Sequence, residues 1–197
     1  MSIALATLIE ILKEDNDVLT QILSSFFCNK DADIEYFLKN RAVEFERLSK
    51  SRTYLICDEE QISASEFCLD QLIIYGYISL ALKVLSVPDG TSTNTRKKLD
   101  GLSGKMHGTL INHFPCYLIG QLSKNSGIDK NILTGKDLLQ FAYDNIVTSV
   151  EAVGGRYMMI ECKNQKKLIE FYKNNGFQEI TQIPDNGQLM VQMIRKI

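Results

Sequence analysis

RYMMIECKNQKKLIEFYKNNGFQEITQI, Arg156 to Ile183, decides the fold. Arg156 to Cys162 is a near-continuous apolar run, the signature of a strand buried on both faces. A helix follows, with Asn164 as its expected cap. It stops at Asn175-Gly176, where glycine supplies a left-handed turn. Phe177 to Ile183 then reads as another strand. Just before the stop the helix carries Phe171 and Tyr172 side by side. The plain reading of Tyr172 is a half-buried aromatic on the face of Leu168.

The same alternation extends both ways. Upstream, FPCYLIGQLS (Phe114 to Ser123) reads as a strand, and Gly120 inside it marks a bulge or a close approach by a backbone or ligand. Leu138 to Val150 is an amphipathic helix with Leu139, Ala142, Ile146 and Val150 on one side, ended by Gly154-Gly155. Strand, helix, strand implies a right-handed crossover and two parallel strands. Downstream, QLMVQMIRK (Gln188 to Lys196) pairs antiparallel with Phe177 to Ile183 through the turn PDNG. The expected fold class is α/β: a mixed sheet of about six or seven strands with helices on its faces.

Toward the N-terminus the pattern is looser. Gln71 to Leu85 is β-rich, with Gly76 as a bend, and RTYLIC (Arg52 to Cys57) is a short strand. Asp33 is expected to cap a helix whose face is Ile34, Phe37, Leu38, Ala42, Phe45 and Leu48. Leu5, Leu8, Ile9 and Leu12 keep helical spacing, while VLTQILSSFFC (Val18 to Cys28) suits strand or helix. Val87 to Gly108 is polar and turn-rich, a loop or insertion whose Arg96, Lys97, Lys98 and Lys105 read as solvated.

Composition narrows the function classes. The 197 residues are 45% hydrophobic and 23% charged, which suits one globular domain. The formal net charge of -2 opposes a protein built to lie on a phosphate backbone. The longest apolar run, Leu72 to Leu85, is too short to span a membrane and contains Lys83, and the first residues do not fit a secretory leader. Five widely spaced cysteines without a CxxC pair read as reduced thiols in a cytoplasm. His113 and Cys116 alone make no metal site.

LTGKDLL, Leu133 to Leu139, has capping-box spacing between Thr134 and Asp137. A helix start there offers free N–H groups and a positive dipole end to an anion, and Gly135 allows close approach. The Asp137 carboxylate competes for the same donors. A nucleotide P-loop is excluded: seven residues separate Gly127 from Gly135, and Asp137 stands where a magnesium-binding Ser or Thr belongs.

Taken together, YLIGQLSKN, GKDLLQFA and FYKNNGF resemble the GNAT superfamily of acyl-CoA-dependent N-acetyltransferases. The resemblance covers Phe114 to Ile197 and extends loosely upstream. It implies a single domain, with 1–112 on the acceptor side and 113–197 binding acetyl-CoA in a cleft between splayed parallel strands. It implies that Gln121, Leu122 and Ser123 face pantetheine, the last two bonding it through their backbones. The phosphate loop falls on Lys130, Asn131, Ile132, Leu133, Thr134 and Gly135, continuing to Lys136. Lys130 replaces the usual Gln or Arg, and Leu133 stands where a glycine belongs. Tyr172 matches the tyrosine that protonates the leaving thiolate, and Glu161 is a candidate general base beside water. The implied activity is acetyl transfer from acetyl-CoA to a primary amine. Two alternatives stand beside it: a GNAT-fold CoA- or protein-binding module, supported by the departures at Asn131 and Leu133, and a toxin-like GNAT acetylating aminoacyl-tRNA, which the net charge disfavours. Neither a metal nor a membrane partner is implied, and a homodimer is allowed.

Overall fold

The computed structural model describes residues 2–11, 15–58, 72–185 and 187–197. Leu12, Gln71 and Asn186, which the sequence reading used, lie outside the described residues, as does Cys68.

The element order is β1 (Ser2–Ala4), α1 (Leu5–Ile11), α2 (Asn16–Ser24), α3 (Ala32–Asn40), α4 (Ala42–Arg47), β2 (Arg52–Cys57) and β3 (Ile74–Ser86). Then come α5 (Thr93–Asp100), β4 (Lys105–Met106), β5 (Thr109–Leu110), β6 (His113–Lys124), α6 (Gly135–Val153) and β7 (Tyr157–Lys163). The chain closes with α7 (Lys166–Asn174), β8 (Gln178–Asp185) and β9 (Gln188–Lys196). A seven-stranded mixed sheet runs β1-β2-β3-β6-β7-β9-β8, and β4 and β5 form a separate hairpin. β8 and β9 pair antiparallel as expected, but β9 inserts between β7 and β8.

Two compact units make up the chain: 1–81 with 119–145, and 82–118 with 146–197. In the first, Leu5, Leu8, Ile22, Phe26, Leu38, Leu55 and Tyr77 form a core of nearly inaccessible side chains. Tyr77 meets Phe26 edge-on at 5.1 Å and donates its hydroxyl to the Ile34 carbonyl. In the second, Leu85, Leu99, Phe114, Cys116, Tyr157, Met159 and Ile194 do the same.

Several local expectations are corrected. Helical spacing wins in the first 28 residues, because α1 and α2 bury Leu5, Leu8, Leu19, Ile22 and Leu23. Asp31, not Asp33, caps α3 by accepting the Asp33 N–H. The single helix expected there breaks at Arg41 into α3 and α4, and Leu48 is exposed. Gly76 is no bend. β3 runs through it, and the irregularity is a bulge beside it, since Ile56 pairs with Gly76 while Cys57 pairs with Ile74. Gln165, not Asn164, precedes α7, and it makes no side-chain cap. The polar stretch after β3 holds a helix, α5, and its Arg96 is buried rather than solvated.

Candidate functional site

The first unit supplies the end of β6, the following loop and the start of α6. Gln121, Leu122 and Ser123 are half-buried. Ser123 Oγ lies 3.3 Å from Cys28 Sγ. Beyond it the loop is held by its own polar groups: Lys124 Nζ donates to the Lys130 carbonyl, and Asn131 N–H donates to Asp129 Oδ1. Lys130, Asn131 and Lys136 are exposed.

Leu133 turns inward. It is 5% exposed and fills the space that a Cβ at Gly76 would need, 2.7 Å from that point. The side chain standing in place of the resembling family's glycine is thus an anchor, while Lys130, Asn131, Ile132 and Thr134 stay exposed. Thr134 and Asp137 form the reciprocal box read from sequence. Asp137 Oδ2 accepts from Thr134 N–H (2.7 Å) and Oγ1 (2.6 Å), while Asp137 N–H donates to Thr134 Oγ1 (3.2 Å). Those bonds hold the Asp137 carboxyl below the usual carboxylate range, helped by Lys136 and Lys124. Gly135 and Lys136 N–H, at the helix start, have no protein partner among the described residues. Two N–H groups at a positive dipole end, with three lysines nearby in sequence, can accept an anion. A groove of about 550 Å³ borders the loop, lined by Ile132, Leu133 and Phe141. Asp58 and Asp137 also line it, which suits it poorly to a polyphosphate.

The second unit carries Tyr172 and Glu161. Tyr172 lies in the last turn of α7, and the helix stop orients it. Gly176 adopts φ +84°, its N–H donates to the Lys173 carbonyl, and Phe177 N–H donates to the Tyr172 carbonyl. Those two bonds define a Schellman stop, and its usual apolar contact is here Tyr172 on Phe177, 5.6 Å between ring centres. Phe171 meets the ring edge-on at 5.1 Å. Tyr172 is 8% exposed as a residue, and among the described residues its hydroxyl has no hydrogen-bond partner and is not one of the fully buried unpaired atoms. Burial pushes this hydroxyl's pKa well above the ordinary phenol value, and the neighbouring Cys162 adds to the shift.

Glu161 is engaged on both oxygens. Gln192 Nε2 donates to Oε1 (2.7 Å), and Lys83 Nζ contacts Oε2 (2.6 Å). Strand alternation sends Glu161 and Cys162 to opposite faces of β7, so Glu161 faces away from the side that Tyr172 packs on. A second cavity in this unit, of about 870 Å³, is lined by Lys98, Arg156, Arg195 and Lys196 but by neither Tyr172 nor Glu161. Its arginines serve helix ends: Arg156 Nε donates to the Leu99 carbonyl of α5, and Arg195 to the Asn175 carbonyl that follows α7.

No protein-family model matches the sequence, and no curated protein matches it. Solved structures do. A Tyr-to-Phe variant of the AtaT toxin aligns over 88% of this chain and 82% of its own, with TM-score 0.60 at 18% identity. AtaTR bound with AcCoA aligns over 100% and 92%, with TM-score 0.60 at 17% identity. AtaT complexed with acetyl-methionyl-tRNAfMet aligns over 86% and 85%, with TM-score 0.57 at 21% identity.

The chain has a GNAT-like fold.

Within this GNAT-like fold, Gln121 to Ser123, Lys130, Asn131 and Leu133 to Lys136 all fall in the first unit, on one strand end and its loop. Tyr172 and Glu161 fall in the second, on α7 and β7. Sequence reading passed over two groups. One is the pairing of Glu161 with Lys83 and Gln192, whose signal was a lysine interrupting an apolar strand. The other is Asn125, 5% exposed, whose Oδ1 accepts the Gly127 N–H in an Asx turn. An Asn two residues before Gly at a strand end was its signal.

Proposed function

We propose that this protein is an acetyl-CoA-dependent N-acetyltransferase acting on a primary amine. The observation that carries the reading is Tyr172: its ring is buried in the last turn of α7, and its hydroxyl has no protein acceptor among the described residues. A phenol whose ring is packed but whose hydroxyl has no protein acceptor is free to donate to a ligand. The solved neighbour AtaTR bound with AcCoA supports the choice of co-substrate.

The chemistry follows in one displacement. The amine nitrogen attacks the thioester carbonyl carbon, a C–N bond forms, and the C–S bond breaks. The CoA sulfur takes the electron pair, and Tyr172 donates its proton there, as a general acid must when a thiolate leaves. Removal of the amine proton falls to water or to Glu161, whose oxygens each accept one hydrogen bond, from Gln192 and Lys83. The backbones of Leu122 and Ser123 bond pantetheine beside Gln121. Gly135 and Lys136 N–H receive phosphate, with Lys130, Asn131, Leu133 and Thr134 shaping the loop.

A second reading takes the amine from an aminoacyl-tRNA. It is favoured by the similarity to AtaT complexed with acetyl-methionyl-tRNAfMet and opposed by the net charge of -2.

The test has two arms. Acetyl-CoA at a hundred times its Kd should stabilise the fold by about 2.7 kcal/mol, seen as a rise in Tm. Thiol release is then followed over small amines, peptides and charged tRNA, with Tyr172→Phe alongside. The variant should lose about a hundredfold or more in kcat while binding acetyl-CoA as before. Binding without thiol release on any acceptor would leave only the CoA-binding module. Full activity in Tyr172→Phe would remove the phenol from the mechanism.

A further inference from the structure

Asn125 sits where β6 ends, and its side-chain amide is saturated. Nδ2 donates to the Ile74 carbonyl (2.8 Å) and the Ser25 carbonyl (3.1 Å). Oδ1 accepts from Gly127 N–H (2.9 Å) and Phe27 N–H (3.3 Å). Two donors and two acceptors are all an amide has, and only one orientation of the group satisfies the four partners. Its own N–H donates to the Tyr75 carbonyl (2.8 Å). One residue thereby ties three segments: β3, the loop leading to α6, and the connector between α2 and α3.

The connector is stitched to the strand end at further points. Ser126 N–H donates to the Phe27 carbonyl (2.7 Å), Asn29 N–H to Ser126 Oγ (3.0 Å), and Cys28 Sγ lies against Ser123 Oγ. Glu35 Oε2 holds Cys28 N–H from the other side. Phe27 is 52% exposed, with Lys39 Nζ 4.5 Å from its ring centre. An exposed aromatic on a backbone fixed this firmly is presented rather than left over.

We propose that Asn125 is a positioning residue that couples acetyl-CoA binding at the end of β6 to the order of the Ser25–Asn29 connector. This rests on the acetyltransferase reading. Leu122 and Ser123 are the residues assigned to pantetheine, and the chain reaches Asn125 two residues after Ser123. β3 is the fixed frame, because it accepts both the Asn125 N–H and one amide proton. A ligand that orders Leu122 to Gly127 therefore orders Phe27 to Asn29 through shared hydrogen bonds.

Hydrogen exchange on the full chain, with and without acetyl-CoA, tests this. In the wild type the ligand should slow exchange at 122–136 and also, at least about fivefold, at Phe27 to Asn29, the lower range of coupling between sites. A clip with only a structural role protects those amides equally with and without ligand. Asn125→Asp keeps the shape but turns both amide donors into acceptors facing carbonyls. Ser126→Ala, at an exposed position, removes only the oxygen that receives Asn29 N–H, and so keeps the test open should Asn125→Asp unfold. Both variants should retain ligand protection at 122–136; Asn125→Asp should lose it at Phe27 to Asn29, and Ser126→Ala at Asn29 alone. Wild-type protection confined to 122–136, or variants that respond like the wild type, would overturn the coupling and leave the acetyltransferase reading standing. No protection at either segment would overturn both.

Discussion

Tyr172 keeps its proton because ionising it would strand a phenolate among Phe171, Phe177 and Cys162. The folded pKa is raised, so the donor form persists as pH climbs through the ordinary phenol value of about 10. The pH profile of kcat should therefore show no alkaline limb from this group below about pH 10, and Tyr172→Phe should run parallel to the wild type from pH 7 to 9. A limb below pH 10 present only in the wild type would contradict the burial argument. Linkage has the same sign: the unfolded phenol ionises first, so the stability from keeping Tyr172 neutral is present below about pH 10 and fades above it. Asp137 shows the opposite case. Its carboxyl is held low by Thr134, so its stabilisation is present above the usual Asp range and disappears as pH falls through the folded value. Asp137→Asn should cost about 1 kcal/mol of stability near pH 7, a loss that closes on acidification, while acetyl-CoA binding tightens at low salt. Calorimetry and a titration read the two signs separately. Thr134 and Asp137 were legible in the sequence because a capping box is a local pattern. Tyr172's orientation was half legible: the Asn-Gly stop could be read, but not the empty hydroxyl.

Elements were legible where their pattern was continuous. β7, β9 and α6 follow from apolar runs and helical spacing, and the structure places them within a few residues of the reading. α5 was missed because TNTRKKLD has no apolar face to display. What holds it is Arg96, 1% exposed, donating to the carbonyls of Pro88, Asp89 and Ile111 and to Asn112 Oδ1. Those partners are backbone groups and one amide on both sides of the helix, so no spacing rule reveals them. A guanidinium serves this fork and an ammonium cannot. Arg96→Lys should open the insertion, seen as faster proteolysis within 88–112, while Arg96→Met adds a loss of several kcal/mol. The helix split at Arg41 was likewise invisible, because the apolar spacing runs on through it.

Across the whole molecule, strand number was readable and strand order was not. β9 lies between β7 and β8, a choice made by pairing along Tyr157–Lys163 and Gln178–Asp185 rather than by anything in β9 alone. The site has the same character. Its unpartnered helix-start N–H groups were legible from a local motif, whereas the Asn125 clip joins segments about a hundred positions apart. No described helix is long and apolar enough to cross a membrane. Gly76 and Leu133 carry the longest consequence. One is the absence of a side chain and the other fills that absence, although 57 positions separate them in the chain. Gly76→Ala should therefore destabilise the fold, and Leu133→Ala should relieve part of that loss in a double-mutant cycle, only part because the Ser123 carbonyl also crowds the spot at 2.8 Å. The two sites should then drift together across evolution, with bulk appearing at 76 only in lineages that have trimmed 133.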